Sequence, residues 1–376
     1  MKKIKKRFFQ NAGFASFLSS LTAIGIGLIF GLVLLLLFNP AKAFNGFSQI
    51  LFAGASTMAK FAKVLYQAAP LIMTGLSVGF AFKTGLFNIG ASGQYLMGAF
   101  FALFTGIVLK QPWWVALFSA MMGGALWGAM PGIFKAFFNV NEVITSIMFN
   151  WIGLFAVNLT LSNIPSILAN YYGASSAERT AVLGAANPSA MIPKMGLDKI
   201  FGASYINISI FLTILIAVIA YIVLNKTTFG YELKACGYNR NASIYAGINA
   251  KRNIVFSMVI AGAFSGIGGG VYYLSGTAQY TIEKILQAMG FNGIPVALLA
   301  TSNPLGTILS ALFVSYIQVG GEAMQPEFAK EIIDIIISVI IYLSAFSLLF
   351  KGLITKFLSK NKPEYADEEE SGEVAS

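Results

Sequence analysis

The sequence predicts an all-α integral membrane protein with about ten transmembrane helices, one of them broken or re-entrant, and both termini in the cytoplasm. Three observations predict it. Hydrophobic residues make up 57% of the 376-residue chain and charged residues only 11%, against about 45–50% and about 25% in soluble globular domains. The apolar residues gather into runs near the ~20 residues needed to cross a hydrocarbon layer. Lys and Arg fall mainly in alternate connections between those runs, the pattern of a topology with its positive loops inside.

Residues 1–20 form a basic cytoplasmic segment with Lys2, Lys3, Lys5, Lys6 and Arg7. The apolar run 21–38 follows, then Ala41-Lys42-Ala43, an order that imitates a cleavable signal peptide. The run holds 18 residues, longer than the roughly 7–15 of a signal core, so it reads as an uncleaved first span. Phe44, Phe47 and Leu51 then recur at helical spacing beside Lys42, Lys60 and Lys63, which predicts an interfacial helix on the outer surface.

Further apolar runs lie at 65–82, 93–109, 112–131, 143–162, 205–224, 253–273, 285–301, 305–320 and 331–350. They complete a membrane domain over 21–350. Pro295 interrupts the eighth run of the ten, and only the Thr301–Pro304 turn separates it from the ninth. The cytoplasmic tail 351–376 contains Asp367-Glu368-Glu369-Glu370 and small polar residues, too little apolar area to order itself fully. The two long loops set the orientation. The stretch 225–252 carries Lys226, Lys234, Arg240, Lys251 and Arg252, whereas the longer 163–204 carries only Arg179, Lys194 and Lys199. The first is therefore inside and the second outside.

Several function classes drop out. With no His and Cys236 as the one cysteine, the chain assembles neither a disulfide framework nor a thiolate or imidazole metal site. A membrane-embedded transferase has little from which to build a nucleophile or metal cluster. The formal charge of +10 is spread over short loops, which suits membrane topology and not nucleic acid. No span has an acidic residue near its middle, Glu142 and Asp334 being the nearest. Ion-coupled carriers place ionisable groups near the midplane, so a secondary transporter of a small neutral solute is the weaker alternative. No Gly-Lys dipeptide is present, hence no phosphate-cradling loop. Active transport then needs an ATPase on another chain.

Four places carry the functional reading. The inner loop "TTFGYELKACGYNRNASIYAGINAKR" from Thr227 predicts a short helix within Leu233–Ile248, either docking a partner or simply a positive inner loop. Gly85, Gly90 and Gly93 beside Asn88 and Gln94 make a poor lipid-facing helix, because freed backbone groups need partners. A broken helix lining a cavity and a capped loop at the start of the third span both meet that need. Asn150, near the middle of the fifth run beside Trp151, needs a hydrogen bond to another helix or to cargo. The pairs Gly75/Gly79, Gly124/Gly128 and Gly262/Gly266 have the spacing that lets helices approach closely and read as packing.

The inner loop resembles that of permeases of the branched-chain amino acid, ribose and simple-sugar importer superfamily, where Ala-x-Gly-x-Asn-x-x-Ala-Ala-x-x-x-Gly-Ile is typical. Ala235, Gly237, Asn239, Ala242, Gly247 and Ile248 match, and Ser243 replaces the second alanine. "GLFNIGASGQ" from Gly85, "NEVITSIMFNWIG" from Asn141 and "GFNGIPVALLA" from Gly290 are similar to motifs of the nucleoside (guanosine-type) branch, with Ser92 where glutamate is usual.

The resemblance implies a multi-pass permease subunit of the bacterial plasma membrane, itself no enzyme. It would import nucleosides or a related simple sugar by alternating access. It also implies three partners: an ATP-binding subunit that holds ATP and Mg, since this chain holds no cofactor; a second permease, copy or homologue; and an extracytoplasmic substrate-binding lipoprotein that docks on the outer loop 163–204. Candidate pathway residues are Phe87, Asn88, Gln94, Asn150, Trp151, Phe291 and Asn292. Candidate coupling residues are Ala235, Gly237, Asn239, Ala242, Ser243, Gly247 and Ile248.

Overall fold

A computed structural model describes residues 12–345 apart from position 326. The predicted acidic tail and the first basic residues lie outside that range. Among the described residues every regular element is a helix, with two isolated bridges, Leu168 to Thr180 and Arg179 to Thr281, in place of a sheet.

The chain divides into two units. One holds residues 1–44 and 331–376. In it α1 (Ala12–Phe38) packs on α14 (Lys330–Ala345) so closely that a Cβ on Gly27 would lie 3.1 Å from the Ile340 backbone.

The other unit holds residues 45–330. It contains most of α2 (Ala43–Phe52), the helix anticipated at Phe44, Phe47 and Leu51. Seven helical stretches here are long and apolar enough to cross a membrane. They are α3 (Met58–Lys83), α4 (Ala91–Leu103, prolonged by a π turn to Val108), α5 (Trp113–Phe138), α6 (Glu142–Ser162), α7 (Ser209–Lys226), α10 (Ala250–Tyr273) and α13 (Pro304–Glu322). Between α7 and α10 lie α8 (Thr228–Tyr238) and α9 (Arg240–Tyr245), and before α13 lie α11 (Ala288–Phe291) and α12 (Gly293–Leu299).

Polar caps set many of the helix starts, as side-chain oxygens do for orphan N–H groups. Thr57 accepts from Lys60 N (3.2 Å), Asn141 from Val143 N (2.8 Å), Asn249 from Arg252 N (3.1 Å) and Asn303 from Leu305 N (3.0 Å). α3 and α10 are buried over most of their length, while α5, α6 and α7 leave apolar faces such as Trp114, Phe118, Ile147, Trp151 and Phe211 exposed. With α4 also largely buried, the core is three central helices, α3, α4 and α10, beside helices whose outer surface is as apolar as lipid requires.

Glycine makes the close approach between α5 and α10. A Cβ on Gly124 would strike Gly262 O and Gly266 Cα, and a Cβ on Gly262 would strike Gly124 O. The spaced glycines act as packing surfaces. Gly75, by contrast, seats Val296 and Thr307, and a Cβ on Gly79 would lie 3.4 Å from Ser302 Cα.

One run differs from expectation. The run 285–301 is not one crossing helix: α11 and α12 are four and seven residues long, joined at Asn292. The run at 93–109 is helical as expected, its helix starting at Ala91 after an irregular, largely buried leg from Thr84 to Gly90. Of the two readings of Gly85–Gln94, the non-helical approach to the third span is the observed one. It is buried in protein, which is how interrupted backbone stays satisfied at membrane depth.

Candidate functional site

The leg Thr84–Gly90 ends in a knot of buried amides. Asn88 and Gln94 form a reciprocal pair: Asn88 Nδ2 donates to Gln94 Oε1 (2.8 Å) and Gln94 Nε2 donates to Asn88 Oδ1 (3.0 Å), while Asn88 Nδ2 also donates to Ser77 Oγ (2.9 Å). Nine residues into α6, Asn150 donates through Nδ2 to Ile89 O (3.1 Å) and accepts from Gly93 N at Oδ1 (2.8 Å). Gly90 offers no side-chain cap to α4, so the Asn150 carbonyl oxygen takes over one of the helix's orphan donors. Ser265 Oγ donates to Ala91 O (2.6 Å).

A second interrupted element meets the first here. Ser92 Oγ donates to Gln287 O (2.9 Å), and a Cβ on Gly290 would strike the Ser92 backbone. The starts of α4 and α11 thus abut with only glycine between them. Ser92, Ser77, Ser265 and Gln287 complete this junction, and sequence reasoning left them out of the site. Ser77 and Ser265 lie between the spaced glycines Gly75/Gly79 and Gly262/Gly266, which read as packing, whereas Ser92 stands inside the Gly85–Gln94 motif.

Asn88, Gln94 and Asn150 come together, fully buried. The other predicted pathway residues do not join them. Phe87 stacks on Phe82 (5.2 Å, 18°), Phe291 and Asn292 are half-buried at the α11–α12 break, and Trp151 is exposed on the outer face of α6, stacked on Phe155 (6.1 Å, 24°). Trp127, from α5, donates through Nε1 to Phe149 O (3.0 Å) and walls Gly153.

The inner loop folds into two helices. Asn239 leaves helical geometry (φ −157°, ψ 107°) and caps α9 by accepting from Ala242 N (3.0 Å), which breaks the single helix expected within Leu233–Ile248. α8 and α9 flank an open groove of about 570 Å³. Ala235, Asn239, Ala242, Ser243 and Ile248 line it, as do Tyr231, Glu232 and Tyr238. Gly247 takes a left-handed turn (φ +82°) that only glycine adopts easily. Gly237 instead touches the buried leg: a Cβ there would lie 2.5 Å from Lys83 O and 2.9 Å from Gly85 N. Glu232 was not singled out from sequence, although it is the sole carboxylate between 225 and 252.

On the opposite side the long loop 163–204 is a folded cap. Thr180 N donates to Tyr280 O (2.9 Å), Tyr280 N to Thr180 Oγ1 (3.0 Å), and Asn187 Nδ2 to Gly106 O (2.9 Å) and Gln111 O (3.0 Å). Lys110 Nζ donates to Tyr172 Oη and to Ala186 O, both at 2.8 Å. Tyr171, Val182, Met195 and Ile200 remain exposed on it. Among the described residues no group of three or more Cys, Asp or Glu side chains is placed to hold a metal ion.

The chain's similarity to known proteins accords with this architecture. Residues 60–345 match the family model described as branched-chain amino acid transport system / permease component. The chain belongs to that permease family. It is 35% identical over 347 residues to the guanosine ABC transporter permease protein NupP of Bacillus subtilis, covering 90% of this chain and 96% of that one. It is 34% identical to the nucleoside ABC transporter permease protein NupB of Lactococcus lactis, covering 89% and 92%. It is 28% identical to the glucose ABC transporter permease protein TsgB13 of Haloferax volcanii over 77% of each chain. No solved structure gave a significant match. The glycine-seated junction and the paired inner helices described above both lie inside the family-matched region.

Proposed function

We propose that this chain is the membrane-spanning permease subunit of an ATP-driven importer that carries nucleosides across the bacterial plasma membrane by alternating access. The observation that carries the reading is the similarity, over nine-tenths of the chain, to permeases described as guanosine and nucleoside transporters. The chain supplies no covalent chemistry. A separate ATP-binding subunit holds ATP and Mg and docks on α8 and α9, a second permease completes the pore, and a substrate-binding lipoprotein delivers cargo to the outer cap.

The topology that fits has about ten crossings, counting α1, α14 and the compound segment that ends in α11 and α12. Both termini are then cytoplasmic, in keeping with Lys2 to Arg7 at one end and Lys351 to Lys362 at the other. In this arrangement a push on α8 reaches the buried leg through Gly237 and Gly85, and from the leg the amide junction where α4 and α11 begin. Neutral, hydrogen-bonding surroundings of that kind suit a cargo without net charge.

The test is uptake of radiolabelled guanosine, uridine and ribose by cells with and without this chain, each with and without the ATP-binding subunit. Nucleoside uptake that needs both proteins is the expected result. Ribose uptake alone would overturn the cargo, and uptake indifferent to the ATP-binding subunit would overturn the importer.

A further inference from the structure

The groove between α8 and α9 holds an acid in a basic setting. The stretch 225–252 carries five cations and one carboxylate, Glu232, and that carboxylate lines the groove. One of its oxygens accepts from Asn253 Nδ2 (3.1 Å), and it makes no ion pair among the described residues. Asn253 is itself fully buried, and its Oδ1 has no hydrogen-bond partner; neither has the buried Nε of Arg240. The groove's rim bears Tyr231 and Tyr238, the latter 90% exposed to solvent. Large aromatic side chains held in water around an open groove are the anchors of a protein interface.

We propose that Glu232 receives a basic side chain, Arg or Lys, of the ATP-binding subunit when that subunit docks in this groove. The inference rests on the reading of the chain as an importer permease and adds the chemistry of the contact. A docked protein strips water from the carboxylate, and a carboxylate accepts hydrogen bonds but donates none. Only a cation or a set of donors offsets that loss, and a cation does so with the larger gain. An anionic lipid headgroup is repelled by Glu232, the one charged residue that lines the groove.

The pattern also fixes register. One acid among Lys226, Lys234, Arg240, Lys251 and Arg252 distinguishes the correct seating from a slipped one, because a slipped partner cation meets a like charge. Through Asn253, in the first turn of α10, the docked charge is tied to the helix whose glycines interlock with α5.

The experiment measures binding of the purified ATP-binding subunit to the full-length permease, assembled with its companion permease in nanodiscs, from low to high salt. Three variants are compared with the wild type: Glu232→Gln, Glu232→Lys and Ala242→Trp. Glutamine keeps an oxygen for Asn253, and unchanged thermal unfolding of that variant establishes that it folds. Glu232→Gln is expected to weaken binding at least about ten-fold at low salt and to flatten its salt dependence. Glu232→Lys should weaken it further, and Ala242→Trp, which fills the groove, should abolish it. Wild-type affinity and salt slope in Glu232→Gln, with binding lost in Ala242→Trp, would overturn the charge contact and leave the docking site standing. Undiminished binding by Ala242→Trp would overturn the docking site as well.

Discussion

Replacing Asn150 by leucine removes two hydrogen bonds and almost no volume. Its amide serves Gly93 N at 2.8 Å and Ile89 O at 3.1 Å, two backbone groups that the interruption before α4 leaves without a helical partner. A buried polar group deprived of its bond costs about 1–3 kcal/mol, so Asn150→Leu is expected to cost about 2–6 kcal/mol. At about 2–4 °C per kcal/mol for large domains, the midpoint of thermal unfolding falls by at least about 4 °C. Cys236 is the one cysteine in the sequence and is buried, so a thiol-reactive fluorophore added to detergent-purified protein reports the transition directly. Asn150→Asp keeps the acceptor for Gly93 but loses the donor to Ile89, and should fall lower than wild type for that bond and for the buried charge. An Asn150→Leu protein melting within about one degree of wild type would refute the assignment of Asn150 as the distant cap of α4.

Two further outcomes follow from the packing and the outer ion pair. Gly262→Ala places a methyl against Gly124 O and the Gly128 backbone, so α5 and α10 must separate; a loss of about 1–3 kcal/mol is expected in the same melting assay, larger than for Gly25→Ala, whose Cβ meets nothing within 4 Å. Lys63 pairs with Glu322, with both side chains about two-fifths exposed, and Gln67 Nε2 donates to the same carboxylate (3.0 Å); screening holds such a pair to under about 1 kcal/mol, so Glu322→Gln should shift the melting midpoint only slightly, and less at high salt.

The apolar runs made most of the membrane helices legible, because a crossing segment carries its whole requirement in its own residues. What the runs left unread depends on neighbours. Pro295 marks the eighth run as irregular, but the division at Asn292 follows from Gly290 seating on Ser92 and Gly293 on the Thr74 backbone, contacts made with residues some two hundred positions away. The inner loop reads as one short helix within Leu233–Ile248, whereas Asn239 divides it by capping α9. Asn88, Gln94 and Asn150 stood out as amides in apolar surroundings, and the structure joins them. Trp151, one position on, faces the other way, because successive helical positions are about 100° apart. Glu232 was legible as an isolated acid, yet its place in a groove depends on where α8 and α9 meet.

The contact between Gly237 and Gly85 is made by main chain against main chain. Side chains at an interface rotate and absorb small displacements, but backbone atoms already near van der Waals distance have no such slack. A shift of α8 toward the membrane by more than a few tenths of an ångström is therefore passed on to Thr84 and Gly85 almost undiminished. The leg beyond them is short and held by its own turn hydrogen bonds, Leu86 N to Ala81 O and Ile89 N to Phe87 O, so it joins that displacement to Asn88 and the start of α4. The two glycines make the joint stiff by leaving nothing in it to bend.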